Sequence, residues 1–232
     1  MLRNTIRFRR VATGTLLIVA PLLQLVAVIV DPGTWGDDRE AVSYGDNPAL
    51  AQLQSVLYHW SWLLMAVTAV GVLHFVRRRA VAFGHITGVV TVLGYINLSS
   101  LLMTDPVEWW LGQHYTPEQA QRMLDEITGL PHSTFGFMLP GMIGIAALPL
   151  LLTAVWRAGA VHWWVPATVA VGYIVSFPVP YGPLTILFWA LPVVALGAFG
   201  LKVLRMGDSA WAAYYPAAPG RTTPDSYAKT TA

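Results

Sequence analysis

The stretch YHWSWLLMAVTAVGVLHFVRRR, residues 58–79, decides the fold. Up to Val76 it carries no Asp, Glu, Lys or Arg, and it then stops at three consecutive arginines. A helix crosses ~30 Å of hydrocarbon in about 20 apolar residues at ~1.5 Å each. Residues 56–76 therefore predict a membrane-spanning helix whose arginine end stays on the cytoplasmic side.

Working outward, five more apolar runs of similar length lie at about 11–30, 83–103, 133–156, 161–179 and 184–204. The composition agrees: 55% of residues are hydrophobic and 11% charged, with a mean hydropathy of +0.54, well outside the soluble globular range. The expected fold is an all-α membrane protein of six transmembrane helices over residues 1–205, with a flexible cytoplasmic tail over 206–232. The Arg-rich lead into the first run resembles a signal peptide. Its apolar run is too long for one and no small-residue cleavage site follows Val30, so it reads as a retained anchor.

Charge sets the orientation. The N-terminus, the turns at 77–82 and 157–160, and the exit at Lys202 and Arg205 carry ten basic residues and no acid. The connections at 31–55 and 104–132 carry ten acids against Arg39 and Arg122. Basic residues accumulate in short cytoplasmic loops, so both termini are expected inside. Tyr58, Trp60, Trp109 and Trp110 fall at expected outer ends and Trp156, Trp163 and Trp164 at inner ends, the headgroup level that such rings favour.

Two helix starts are legible in detail. Asn47 followed by Pro48 marks an early beginning for the second helix, which from there to Val76 would run ~43 Å. In TPEQAQRMLDEITG, residues 116–129, Thr116 caps, Pro117 takes the first helical position, Gln119 completes a capping box and Gly129 ends the helix. Ala120, Met123, Leu124 and Ile127 make one apolar face, so a short amphipathic helix should lie on the outer surface.

The chain has no cysteine, which excludes disulfides and thiolate chemistry. Histidine is the residue type left that ligates metals or haem through nitrogen. His74, His85 and His162 fall near the inner face, and His59, His114 and His132 near the outer. His59 and His74 are ~22 Å apart on roughly one side of their helix. That is the layout of a dihaem helix, yet no second span carries a matching pair, so these residues read as boundary histidines. His59, His74, His85 and His132 stay as candidate ligands for haem b or another metal. A polar run on the third helix, Tyr95, Asn97, Ser99 and Ser100, is a candidate lining for a small outward pocket with His59.

The remaining polarity in the spans (Gln24, Thr68, Thr91, Tyr173, Ser176) reads as interhelical bonding. The row Ala80, Gly84, Gly88 reads as a close-packing face. Pro178, Pro180 and Pro183 suggest a tight outer hairpin, and Pro140 a bend. No Asp, Glu, Lys or Arg falls within the middle of a span, which disfavours an ion-coupled transporter. Acids in the outer connections read as a solvated anionic face. No HExxH, GxSxG or Gly-rich phosphate loop occurs, so the sequence leans away from an enzyme.

The segments VLHFVRRRAVAFGHITGVVTVLG (72–94), MTDPVEWW (103–110), LPLLLTAVWRAGAVHWWVPATV (148–169) and LKVLRMGD (201–208) resemble uncharacterised six-span membrane proteins of actinobacteria. That resemblance implies no activity. The Arg-dominated basic content and the Ala, Val, Leu and Gly bias fit a GC-rich bacterial source. The expectation is a plasma-membrane protein in contact with the lipid bilayer and with other membrane proteins, not nucleic acid. Its expected role is structural or partner-binding, and the alternative is an intramembrane site for a small ligand, haem or metal between helices.

Overall fold

The computed structural model describes residues 5–35, 40–175 and 182–215. All of the regular structure among them is helical. Five segments are long and apolar enough to cross a membrane: Thr5–Val30, Pro48–Val76, Val81–His114, Pro131–Arg157 and Pro183–Arg205.

The first is α1 (Thr5–Val30), followed by the single turn α2 (Pro32–Trp35) and α3 (Glu40–Asp46). Helix α4 (Pro48–Val72) begins at Asn47 and Pro48 as expected, and tightens into a 3-10 turn over Leu73–Val76. Helix α5 (Val81–Leu101) leads through a turn at Met103 and Thr104 into α6 (Asp105–His114). Helix α7 (Pro117–Thr128) carries the expected capping box, with the Thr116 N–H donating to Gln119 Oε1 at 3.3 Å and Gly129 at its end. Its buried seam is narrower than the apolar face suggests: Ala120 and Leu124 pack on Leu111 of α6, while Met123 and Ile127 stay exposed.

A turn α8 (Pro131–Ser133) and a π-helical segment (Thr134–Met138) open into α9 (Leu139–Arg157). Helix α10 (Trp164–Ala170) continues as a π segment over Val171–Val175. These 12 described residues cover ~18 Å, short of the ~30 Å of a bilayer core. The fifth of the six expected crossings is thus a short apolar helix among the described residues. Ser176 and most of the expected 178–183 hairpin lie outside them. Helix α11 (Pro183–Arg205) and the short α12 (Asp208–Ala212) complete the order.

The five long apolar segments and the short α10 close into a ring. Helix α1 lies between α4 and α11, α4 touches α5, α5 packs on α9, α9 on α10, and α10 on α11. Two crossings are set by glycine pairs. A Cβ on Gly94 would collide with the backbone of Gly144, so α5 and α9 touch main chain to main chain. A Cβ on Gly200 would lie 2.6 Å from the Gly14 carbonyl, fixing α11 on α1 in the same way. Without a hydrophobic force between helices in lipid, such close approach supplies the dispersion contact that holds them. The row Ala80, Gly84, Gly88 is also used for packing: Gly84 faces Val76 and Gly88 faces Leu73.

Many polar groups inside the ring are bonded locally or to a neighbour, while Gln24 Nε2 and Tyr95 Oη have no hydrogen-bond partner among the described residues. Thr68, Thr87, Thr91 and Thr153 donate back to carbonyls one turn earlier. Ser61 Oγ donates to the Ala20 carbonyl at 2.8 Å, and Tyr173 Oη donates to Gln24 Oε1 at 2.8 Å. Asn97 donates to the Phe137 carbonyl, satisfying a group in the π segment, as an apolar surrounding requires. Outside the ring, Val67, Val70, Ile86, Leu93, Leu187 and Val194 are exposed, an aliphatic belt suited to lipid.

The end of the bundle that carries the N-terminus is closed by residues the sequence assigns to the tail. Trp211 of α12 is fully buried, stacked on His74 at 4.0 Å and edge-on to Phe75. Its carbonyl bonds His74 Nε2 at 2.9 Å. Arg10 pairs with Asp208 at 2.9 Å and donates to the Leu204 carbonyl at 2.7 Å, satisfying the end of α11. The expected tail boundary at Met206 therefore moves: residues 206–215 are folded onto the bundle because a large indole finds a slot there.

Gly94→Ala should lower the thermal midpoint of the purified protein in detergent, with an overpacking cost of about 1–3 kcal/mol or more. Gly197→Ala, where an added methyl meets nothing within 4 Å, should leave it unchanged or slightly raised. A differential scanning assay on both variants checks this.

Candidate functional site

The opposite end of the ring holds a cavity of about 390 Å³. Its walls come from α4 (Gln54, Tyr58, Trp62), the α5–α6 turn (Leu98, Leu101, Leu102, Thr104, Asp105, Glu108), α9 and the π segment before it (Met138, Met142, Ile145) and α11 (Thr185, Trp189). Asp31 and Tyr44 close it from the cap.

Each wall follows from local sequence. Gln54, Tyr58 and Trp62 recur every fourth residue and so share one stripe of α4. Asp31 ends α1, accepting the Gly33 N–H on Oδ1 at 2.9 Å in a tight Asx turn. The α1 carbonyls left open there are satisfied by Thr34 Oγ1 on Val28 at 2.8 Å and by Trp35 Nε1 on Ile29 at 2.7 Å. Asp105 and Glu108 occupy the first turn of α6, where a carboxylate is favoured by the exposed N–H groups, and their spacing puts both on one face.

Asp105 ties this cap to the bundle. It accepts from Gln54 Nε2 at 3.0 Å and from Ser55 Oγ. Gln54 Nε2 also reaches Tyr44 Oη at 3.2 Å, linking α3. Gln54 is 1% exposed, and its Oε1 has no hydrogen-bond partner among the described residues; the same holds for the buried Trp62 Nε1.

The aromatic rings form a continuous floor. Tyr58 and Trp62 lie 5.2 Å apart, Tyr58 and Trp189 6.4 Å edge-on, and Trp189 and Tyr173 5.4 Å edge-on. Beneath them sit Gln24 and Tyr173, and then a dry core of Leu17, Met65, Leu151 and Phe199. Three acidic residues, Asp31, Asp105 and Glu108, and three aromatic ones, Tyr58, Trp62 and Trp189, therefore line the same space. Chemically, the space suits a small cation or multi-donor amine, since ring faces and carboxylates attract positive charge alike.

The acids overturn one reading of the sequence. Asp31 is 1% exposed and Glu108 7% exposed, so these two are buried in the cavity wall and are not part of a solvated anionic face. Tyr58 is likewise buried, while Trp60 and Trp110 remain at the exposed rim. The usable sequence signals were the Gln54, Tyr58, Trp62 stripe and the pair Asp105 and Glu108 at a helix start.

The sequence candidates lie elsewhere. Tyr95 is fully buried in the bundle core; Asn97 serves the π segment; Ser99 Oγ shares a 2.7 Å hydrogen bond with His59 Nδ1; Ser100 is exposed and leans back on Ile96. At 100° per residue Tyr95 and Ser99 share the inward face of α5 while Asn97 and Ser100 lie on other sides, and none of the four is among the residues lining the cavity. The histidines are also separate: His74 lies beneath Trp211, His85 is exposed and bonded to the Val81 carbonyl at 2.8 Å, and His132 is exposed in the α8 turn. Among the described residues, no group of three or more His, Asp or Glu is arranged to hold a metal ion. No family model, curated protein or solved structure matches this chain.

Proposed function

We propose that this protein is a six-span plasma-membrane protein with both termini inside, and that its cavity at the outer end of the bundle binds a small organic cation. The single observation that carries the ligand reading is the wall itself: Asp31, Asp105 and Glu108 around Tyr58, Trp62 and Trp189, in about 390 Å³. A purely structural or partner-binding role does not call for acids and aromatic rings around one open space of this size. The volume lies within the range of small-molecule sites. Ring faces around an ammonium contribute ~0.5–2 kcal/mol each when water is excluded.

The orientation rests on the charge partition between loops, ten basic residues and no acid against ten acids and two arginines. The crossing expected over 161–179, fifth in chain order, would run through α10 and the π segment that continues it. The exposed aliphatic belt supports embedding in lipid.

Because the chain lacks cysteine, single-cysteine labelling reads the topology without background. Asp125→Cys, on the exposed side of α7, should react with an impermeant maleimide in intact cells. Ser209→Cys, exposed on α12, should react only after lysis. Reaction of Ser209→Cys from outside would contradict the orientation.

Ligand binding can be read from thermal stability in nanodiscs. Choline and short primary amines should raise the midpoint saturably, by up to about 2.7 kcal/mol of stabilisation at a hundredfold excess over Kd. The neutral isostere 3,3-dimethylbutanol should not. Glu108→Gln, which keeps shape and removes charge, should weaken the cation about tenfold. Equal shifts for cation and neutral isostere, or none for any amine, would contradict the reading.

A further inference from the structure

The other end of the bundle carries a second, differently built cavity. It measures about 350 Å³ and is lined by Phe75, Ala158, Met206, Ala210, Ala213 and Tyr214, with Arg78 and Arg79 at its edge. Its walls are the turn after α4, the end of α9 and the α11–α12 segment. Three candidate spans end at this level, at Val76, Arg157 and Arg205, so the groove lies where hydrocarbon gives way to headgroups.

Its charge is one-sided. Arg77, Arg78, Arg79, Arg157 and Arg205 are exposed at this end. The one acid among the described residues here, Asp208, is held by Arg10. Arg77 lies over the Tyr215 ring at 5.1 Å, and Arg78 Nε donates to the Tyr215 carbonyl at 2.7 Å, which leaves the Arg78 Nη groups beside the groove. Arg79 has no hydrogen-bond or ion-pair partner among the described residues. Burial raises the Tyr214 phenol above its ordinary range, so it stays a protonated donor at neutral pH.

We infer that this groove binds an anionic phospholipid, with one acyl chain along Phe75, Ala158, Met206 and Ala210 and the phosphodiester between Arg78, Arg79 and the Tyr214 hydroxyl. The apolar length of the wall calls for a chain, and the arginines call for a negative headgroup. A basic, apolar-floored pocket at the end of a helical bundle provides both. The lipid would brace α12 against the turn after α4 and so reinforce the burial of Trp211 over His74. This inference is independent of the ligand reading of the outer cavity and uses the proposed orientation only to name the leaflet.

The test uses the full-length protein in nanodiscs of phosphatidylcholine with or without phosphatidylglycerol, and counts retained lipid by native mass spectrometry after detergent exchange. Phosphatidylglycerol should be retained at least fivefold over phosphatidylcholine and should raise the thermal midpoint. Arg79→Gln should remove most of that preference, Arg79→Lys should restore it in part, and Ala210→Trp, which fills the groove from an exposed position, should abolish retention. Equal retention of both lipids would overturn the inference. So would an unchanged preference in Arg79→Gln. Equivalent stabilisation by soluble glycerol phosphate would make this a free-anion site and overturn the lipid assignment.

Discussion

The contact between Asp105 and the pair Gln54 and Ser55 is the point on which the arrangement turns. Helix α5 stops at Leu101, and the chain would lead away from the bundle unless something drew α6 back. Asp105 supplies that, accepting two hydrogen bonds from α4 at the first turn of its own helix. A charge-assisted bond to a carboxylate is about twice as strong as a neutral one. With α6 held across the mouth of the ring, Glu108 and Leu111 face inward, α7 has a surface for Ala120 and Leu124, and α3 is drawn in through Tyr44. The cavity is the space left between this cap and the aromatic floor.

Below the cap, the ring shows how a small membrane protein keeps its interior closed. Glycine pairs bring α5 to α9 and α11 to α1 at backbone distance, and threonines return their hydroxyls to their own helices. The N-terminal end is sealed by Trp211, Phe75 and Phe199. The two ends differ in the sign of their charge, with the carboxylates of Asp31, Asp105 and Glu108 at one and the arginines 77–79, Arg157 and Arg205 at the other.

Much of this was legible in the sequence, and the reasons are physical. Long apolar runs, Asn47 with Pro48, the capping box from Thr116 to Gln119 and the arginine stop at 77–79 act over a few residues, so local pattern suffices. The cavity was not legible, because it assembles from six segments distant in the chain. Asp31 and Glu108 sit in connections rich in acids, and nothing local distinguishes a buried carboxylate from a solvated one. Trp211 was hidden for a similar reason: a single indole after a helix-ending Arg205 reads as tail until the slot beside His74 is seen. The polar run at Tyr95, Asn97, Ser99 and Ser100 is divided around its helix, Tyr95 and Ser99 facing the bundle and Asn97 and Ser100 lying on other sides, and it is not part of the cavity wall.

The proposed cation would sit among Tyr58, Trp62 and Trp189 under the Asp105 cap. Photo-crosslinking with a diazirine-bearing quaternary ammonium, on protein in nanodiscs, locates the ligand directly when the labelled peptides are sequenced. The account predicts saturable adducts on residues 54–62 and 185–189, suppressed by excess choline and weakened by Glu108→Gln. Adducts confined to the lipid-facing belt, or labelling that excess choline does not compete, would contradict it.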